Sequence, residues 1–270
     1  TLIMYWSQVR VLAGPPKLTN KQRQFMEKIK IKSLSIIFPL FNEEQRIKKS
    51  LDKISRILPK LGIKKTEIIL VNDGSNDQTD LIIKKFIKNL NFQKRKKINY
   101  VKYSKNMGKG YACKKGVSVA RNRWILTCDI DFSANPKEIL NWSKKNLIRS
   151  NNECYFGSRN IDGSKIKYRI YRRLLGKIFS KFRNYLFNIN ILDTQCGFKL
   201  YPKIIAKKIF PKISQFGYIH DVEICVILQK SNIKIRELPI TWKHATNSKL
   251  NILTDGSKMI LDLIKLKAKI

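Results

Sequence analysis

The chain has 270 residues, 43% of them hydrophobic, which suits one large domain with a sizeable core and argues against a disordered polymer. Its 56 Lys and Arg against 19 Asp and Glu leave a net charge of +37, so nucleic acid, an anionic membrane or phosphorylated substrates fit as partners, although Lys, Ile and Asn abundant together also fit a coding bias. Five cysteines without a CxxC and only two histidines disfavour a disulfide framework and a Cys/His zinc site, and no stretch reaches the roughly 18 apolar residues of a membrane span.

Residues 1–30 read as a poorly ordered N-terminal extension, and Met26 stands just before a clean domain start. A single domain then covers 31–270. LSIIF at 34–38 predicts a first strand, and the spacing of Ile47, Leu51, Ile54 and Leu58 predicts a helix over 44–58. A second strand follows at 67–71, a helix around 81–90 and a third strand at 98–103. A helix over 110–121, a strand at 124–129, a helix over 137–148 and a strand at 154–158 continue the alternation. Strands alternating with helices imply an α/β fold with a mostly parallel sheet covered on both faces, whose ligands bind at the carboxyl ends of the strands.

The last third reads differently. Residues 168–188 place Tyr171, Leu174, Leu175, Ile178, Phe179, Phe182, Tyr185 and Leu186 on one helical stripe. Arg169, Arg172, Arg173, Lys177, Lys181 and Arg183 fall on the other. Such a basic amphipathic helix fits either an anionic membrane surface or packing on the sheet with a solvated basic face. A closing helix over 257–267 points Met259, Ile260, Leu263 and Ile264 inward, with Lys258, Lys265 and Lys267 outward.

Carboxylates gather after three strands: Asn42-Glu43-Glu44, Asp73-Gly74-Ser75 and Asp129-Ile130-Asp131. They repel one another unless something cationic or hydrogen-bonding sits among them. On an extended backbone, residues i and i+2 point the same way, so Asp129 and Asp131 converge and can hold a hard cation such as Mg²⁺ or Mn²⁺, leaving positions for phosphate oxygens. Asp73-Gly74-Ser75 also fits a plain turn, with Asp77 capping the next helix. Asn106-Met107-Gly108-Lys109-Gly110 allows close backbone approach beside one positive charge. It is neither a Walker A loop nor a dinucleotide fingerprint, which disfavours hydride transfer.

Taken in order, FPLFNEE, ILVNDGSNDQT, NMGKGYA and DIDFS resemble family 2 glycosyltransferases of the GT-A fold, over 34 to about 265. YFGSRN, LDTQCGFKLY at 192–201, HDVEI at 220–224 and TWKHATNSKL at 241–250 resemble the polyprenyl- or dolichyl-phosphate branch, and DTQCGFKLY its β-glucosyl members. The resemblance implies a Rossmann-like GT-A domain with C-terminal amphipathic helices. It implies a nucleotide-sugar half over 34–135 and an acceptor- and membrane-facing half over 150–270. Pro39, Glu43, Asp73, Ser75, Lys109 and Asp129 would bind the donor. Asp131 would be the main ligand of Mg²⁺ or Mn²⁺, with Asp129 assisting. Arg159, Arg172, Arg173 and Lys249 would bind the acceptor phosphate, and Gln195 would lie near the sugar–acceptor junction. Asp221 matches the position that serves many members as base. Trp242, Ser248 and Lys249 match a late element near the active site. His220 stands where an aromatic is usual. Ser133 stands where the mannosyl branch often has Gln.

The implied activity is inverting transfer of a hexose, foremost glucose from UDP-glucose, to a polyprenyl phosphate by an enzyme held peripherally at the cytoplasmic membrane face. A donor such as GDP-mannose, or a glycan hydroxyl as acceptor with Asp221 as general base, keeps the fold. A basic non-enzymatic binding protein is the remaining class, but no nucleic-acid module is recognisable and no specific nucleic-acid partner is expected. For Arg159 there is a second reading, an ion pair that holds its loop.

Overall fold

A computed structural model describes residues 31–95, 97–167, 170–243 and 252–269. The expected N-terminal extension, Ser248 and Lys249 lie outside them.

The first half follows the predicted alternation. β1 (Ser33–Leu40) leads to α1 (Glu44–Ile57), β2 (Lys65–Asp73) to α2 (Thr79–Lys88), and a four-residue α3 (Phe92–Arg95) to β3 (Ile98–Tyr103). α4 (Lys109–Val119), β4 (Trp124–Thr127) and α5 (Glu138–Lys144) follow. The apolar residues of α1 recur every three or four positions, so Ile47, Leu51 and Ile54 form one buried stripe between charged flanks. β1 and β4 are almost wholly buried because helices cover both faces of the sheet.

The second half comprises β5 (Cys154–Ser158), β6 (Lys165–Lys167), α6 (Ile170–Phe187), β7 (Lys199–Pro202), α7 (Lys203–Ile209), α8 (His220–Lys230), β8 (Ile235–Pro239), β9 (Thr241–Lys243) and α9 (Ile252–Lys269). Seven strands form one sheet in the order β3-β2-β1-β4-β7-β5-β8, and β6 pairs β9 in a second, two-stranded sheet. β7 runs antiparallel to β4 and β5, and every other pairing in the large sheet is parallel. The chain winds outward from β1 to β3, then returns to place β4 on the other side of β1. That reversal opens a crevice at the carboxyl ends of β1 and β4, where open α/β sheets bind ligands.

Two cores sandwich the sheet. One packs α1, α2 and α5 against Leu34, Ile36, Phe38 and Trp124. The other packs α4, α7 and α8 against Ile37, Ile69 and Ile125, with Leu263 and Leu266 of α9 joining it.

Two amphipathic readings need correction. In α6, Phe179, Phe182 and Leu186 do pack inward. Arg183, expected on the solvated face, is only 1% exposed, while Ile178 and Tyr185 of the apolar stripe are exposed. Arg183 turns inward because oxygens await it: its guanidinium donates to Thr194 Oγ1 at 2.8 Å, to Ser180 Oγ at 2.9 Å and to the Ile191 carbonyl at 2.5 Å. In α9 the inward residues are Met259, Leu263 and Leu266, whereas Ile260, Leu261 and Ile264 are exposed. The side chains of residues 167–175 and of Lys177 lie outside the described set, Arg169, Arg172 and Arg173 among them.

Candidate active site

The loops after β1 and β2 are stitched together reciprocally. The Asn42 N–H donates to Ser75 Oγ at 2.9 Å, the Glu43 N–H to Thr79 Oγ1 at 2.7 Å and the Glu44 N–H to Asp77 Oδ2 at 3.1 Å. In return the Asn76 N–H donates to Asn42 Oδ1 and the Gln78 N–H to Glu44 Oε2, both at 3.0 Å. Asp77 also takes the Thr79 N–H at 2.9 Å, so it serves the first turn of α2 as the sequence predicts and that of α1 as well. Glu43 is buried and its carboxylate is held by Arg46.

Asp73 is 2% exposed. Oδ1 accepts the Met107 N–H at 2.8 Å, and Oδ2 accepts the Gly108 N–H at 2.8 Å. Asp73 therefore lies beneath the Asn106–Gly108 loop and shapes it, rather than standing open at the sheet edge. Gly108 has φ 97°, and a Cβ there would lie 2.4 Å from the Phe216 carbonyl oxygen. That carbonyl accepts the Gly110 N–H at 2.8 Å and so fixes the start of α4. The 214–216 segment is held in turn by buried Glu223, which accepts N–H bonds from Ser214 and Gln215 and the Ser214 hydroxyl.

The Asp129-Ile130-Asp131 triplet is not strand, as the extended-backbone reading assumed. β4 ends at Thr127, and residues 129–132 form a turn closed by the Phe132 N–H on the Asp129 carbonyl at 3.2 Å. Phe132 takes a left-handed φ of 58° and packs on Phe38. Asp131 Oδ1 accepts the Ser133 N–H at 2.8 Å, and Asp131 forms no ion pair among the described residues. Burial, and then the neighbouring Asp129 charge, push its carboxyl above the usual range.

Both of the expected compensations occur: Asp73 and Asp131 accept backbone N–H bonds, and a cation stands beside Asp129. Lys109 Nζ lies 2.6 Å from Asp129 Oδ1. Burial opposes charge on both, yet each holds the other ionised: Asp129 stays below the usual carboxylate range and Lys109 above the usual lysine range. Pro39, Lys109, Thr127, Asp129, Gly197 and Asp221 line one small pocket of this crevice.

Asp221, at the start of α8, carries a partner that the sequence reading missed. Lys199 of β7 is wholly buried and its Nζ lies 2.7 Å from Asp221 Oδ1. The same Nζ donates to the Cys196 carbonyl at 2.6 Å and lies 5.3 Å from the Phe156 ring centroid. Burial alone would raise the Asp221 carboxyl, but the adjoining Lys199 ammonium holds it below the usual range. His220 Nδ1 lies 2.7 Å from the Gly217 carbonyl, which can only accept, so Nδ1 carries the proton. Burial pushes that imidazole below its ordinary pKa.

Arg159, after β5, follows its second reading. Its guanidinium forks onto Asp193, Nε to Oδ2 at 2.7 Å and an Nη to Oδ1 at 2.8 Å, and it stacks over Trp242 at 5.3 Å. Trp242 pairs with Ala134 and so reaches the acidic turn. Gln195 lies in the same 193–197 loop, and its buried Nε2 has no partner among the described residues. Asp193 and Lys199 both lie inside DTQCGFKLY, the motif that carries the resemblance, but nothing in its spacing marks either as a buried ion-pair partner. The five cysteines are buried and free, and burial pushes the Cys113 thiol in the pocket wall up to about 12, so it offers no thiolate at neutral pH.

Among the described residues no group of three or more His, Cys, Asp or Glu could hold a metal ion. Asp131 and Asp129 supply two carboxylates, hard oxygen donors of the kind that suits a cation sharing its remaining positions with a diphosphate and water.

Residues 35–210 match the model of glycosyl transferase family 2. The chain belongs to that family. It is 30% identical over 265 residues to dolichyl-phosphate β-glucosyltransferase of Dictyostelium discoideum, covering 92% of this chain and 80% of that one. With the Saccharomyces cerevisiae protein of the same name it shares 33% over 251 residues, covering 86% and 73%. Among solved structures, glucosyl-3-phosphoglycerate synthase from Mycobacterium tuberculosis superposes with a TM-score of 0.65 at 15% identity, covering 95% of this chain and 86% of that one, and so shares its fold. That synthase has also been solved with Mn²⁺ and uridine diphosphate.

Proposed function

We propose that this chain transfers glucose from UDP-glucose to a polyprenyl phosphate of the dolichyl type, with inversion at the anomeric carbon. The observation that carries this reading is the 30–33% identity, over most of both chains, to proteins named dolichyl-phosphate β-glucosyltransferase.

The site chemistry agrees with it. A phosphate monoester, with a second pKa of about 6, reaches the site already ionised. Its oxygen attacks the anomeric carbon, the bond from that carbon to the diphosphate breaks, and UDP leaves. No residue need take a proton. Asp221 suits that reaction, because a carboxylate held below its usual pKa is a weak base and a good fixed orienter. A glycan hydroxyl would require a base tuned toward neutrality, which is the reverse shift.

Pro39, Glu43 and Ser75 form the donor edge, with Asp73 shaping the 106–108 loop behind it. Lys109 and Asp129 face the sugar nucleotide from the floor of the crevice. Asp131, assisted by Asp129, would hold Mg²⁺ or Mn²⁺, which when bound neutralises charge building on the departing diphosphate. Gln195 has a donor, without a partner among the described residues, for a sugar or phosphate oxygen. The acceptor phosphate is assigned to the basic start of α6, at Arg172 and Arg173, with Arg159 contributing charge while its fork stays on Asp193.

Membrane attachment is assigned to α6 and α9. Ile260, Leu261 and Ile264 form one exposed apolar strip, with Lys258 and Lys265 exposed around it. Among the described residues no helix is long and apolar enough to cross a membrane.

The test is turnover of UDP- and GDP-sugars with a short polyprenyl phosphate, product anomericity being read by NMR. A β-linked glucosyl phosphate from UDP-glucose is expected. Preference for GDP-mannose would overturn the donor, and turnover only with sugar hydroxyls the acceptor.

A further inference from the structure

A lysine with no exposed surface is rare unless something repays its lost hydration. Lys199 is such a lysine, and its position is unusual in a second way. It stands on β7, the one antiparallel strand of the large sheet, paired with Thr127 on one side and Phe156 on the other. From there its ammonium reaches two separate pieces of the site, the Cys196 carbonyl at 2.6 Å and Asp221 Oδ1 at 2.7 Å. Cys196 adjoins Gly197, whose lack of a side chain admits the Asp129 carboxylate. One buried cation thus ties the 195–197 loop to the start of α8.

We propose that Lys199 is a positioning residue that acts through Asp221, keeping that carboxylate ionised, fixed in direction and electrically offset. This inference rests on the phosphate-acceptor reading above. The physical need is specific to that reaction. Two anions, a nucleoside diphosphate and a phosphate monoester, must enter one crevice, and an unpaired carboxylate beside them would repel both. Paired with Lys199, Asp221 presents an oriented oxygen acceptor with little net charge. Without Lys199 the carboxylate is left buried and uncompensated, and it either takes up a proton or moves toward water. Either response spoils its direction. Lys109 cannot take over, because it is engaged with Asp129. His220 Nε2 lies 3.4 Å from the same Asp221 oxygen, but the ring proton sits on Nδ1, against the Gly217 carbonyl, and burial keeps the imidazole neutral, so it brings no compensating charge.

The test is a double-mutant cycle on the full chain with Lys199→Met, Asp221→Asn and the combined variant. UDP release from UDP-glucose and a short polyprenyl phosphate gives kcat and KM, and calorimetry gives UDP affinity. If Lys199 works through Asp221, Lys199→Met lowers kcat about tenfold or more while UDP affinity changes less than about twofold. The combined variant then stays within about twofold of Asp221→Asn, because the group to be positioned is already gone. Lys199→Arg, which keeps the charge, recovers part of the loss.

Losses that multiply in the combined variant overturn the inference, as does a fall in UDP affinity that matches the fall in kcat. Should Lys199→Met not fold alone, the combined variant, which buries no lone charge, still decides. Equality with Asp221→Asn supports the inference, and a further tenfold loss overturns it. A wild type that turns over no polyprenyl phosphate overturns the acceptor reading and this inference with it. An active wild type with multiplying losses overturns this inference alone.

Discussion

Gly197 and Asp129 share one space: a Cβ on residue 197 would lie 2.2 Å from Asp129 Oδ2 and 2.7 Å from its Cγ. The contact joins the 193–197 loop to the acidic turn after β4, two segments about seventy residues apart in sequence. Gly197→Ala must therefore push the Asp129 carboxylate away from Lys109. A displacement of about 1 Å at such a group can cost about 100-fold in turnover. UDP release should fall by that order while the melting transition stays cooperative.

Asp131 offers a carboxylate with no ion pair among the described residues. Asp131→Asn removes a charged ligand and keeps the shape. Turnover should be abolished without loss of cooperative unfolding. Excess EDTA should silence the wild type in the same way, and Mn²⁺ or Mg²⁺ should restore it. Full turnover in EDTA would remove the metal from the mechanism.

The Arg159–Asp193 pair sets a pH dependence with a definite sign. Burial alone would raise the Asp193 carboxyl, but the Arg159 guanidinium and N–H hold it below the usual range. A depressed carboxylate adds stability above its unfolded pKa of about 4, and that stability is lost as pH falls through the lower folded value. Asp193→Asn should therefore lower stability by about 3 kcal/mol at neutral pH, near the low end for a buried pair because Arg159 keeps 25% of its surface. The gap between wild type and variant, read by denaturant melts, should close below about pH 4. A gap unchanged down to pH 3 would assign the loss to packing rather than charge.

The exposed strip of α9 predicts a two-part membrane contact. Replacing Lys258 and Lys265 by Gln should weaken binding to anionic vesicles about fivefold per charge, and added salt should weaken the wild type. Replacing Ile260, Leu261 and Ile264 by Ser should weaken binding to neutral vesicles too. Equal sedimentation of all three proteins with vesicles would leave α9 a solvated helix.

The first half of the fold was legible because β1, β2 and β4 are buried on both faces and read as unbroken apolar runs between helical spacings. β7 was not legible. It is four residues long, and its first is a charged lysine, so its burial depends on a distant aspartate that no local pattern reveals. Arg183 misled for the same reason: charge spacing puts it in water, but Thr194 and the Ile191 carbonyl supply a buried home. In α9 the run MILDLI offers two overlapping stripes, and only packing chooses Leu263 and Leu266. The site motifs fall on neighbouring loops of one crevice, yet the contacts each side chain makes, such as Lys199 with Asp221 and Asp193 with Arg159, come from tertiary packing. The acidic pair showed a different failure. Strand alternation led to the expectation that the two carboxylates converge, but they stand in a turn with Phe132 at positive φ.

The reciprocal bonds between the 42–44 and 75–79 loops have a kinetic meaning. Neither loop can lift without breaking bonds given and bonds received, so the two behave as one rigid plate. On the proposed assignment, a sugar nucleotide arriving there meets a mould already cast, and almost all the ordering cost of binding falls on the ligand. On the same assignment, any opening that lets product leave then occurs across the crevice from this plate. If the acceptor leaves by that side, departure of the glycolipid, and not of UDP, is where a slow conformational step would show itself in the turnover rate.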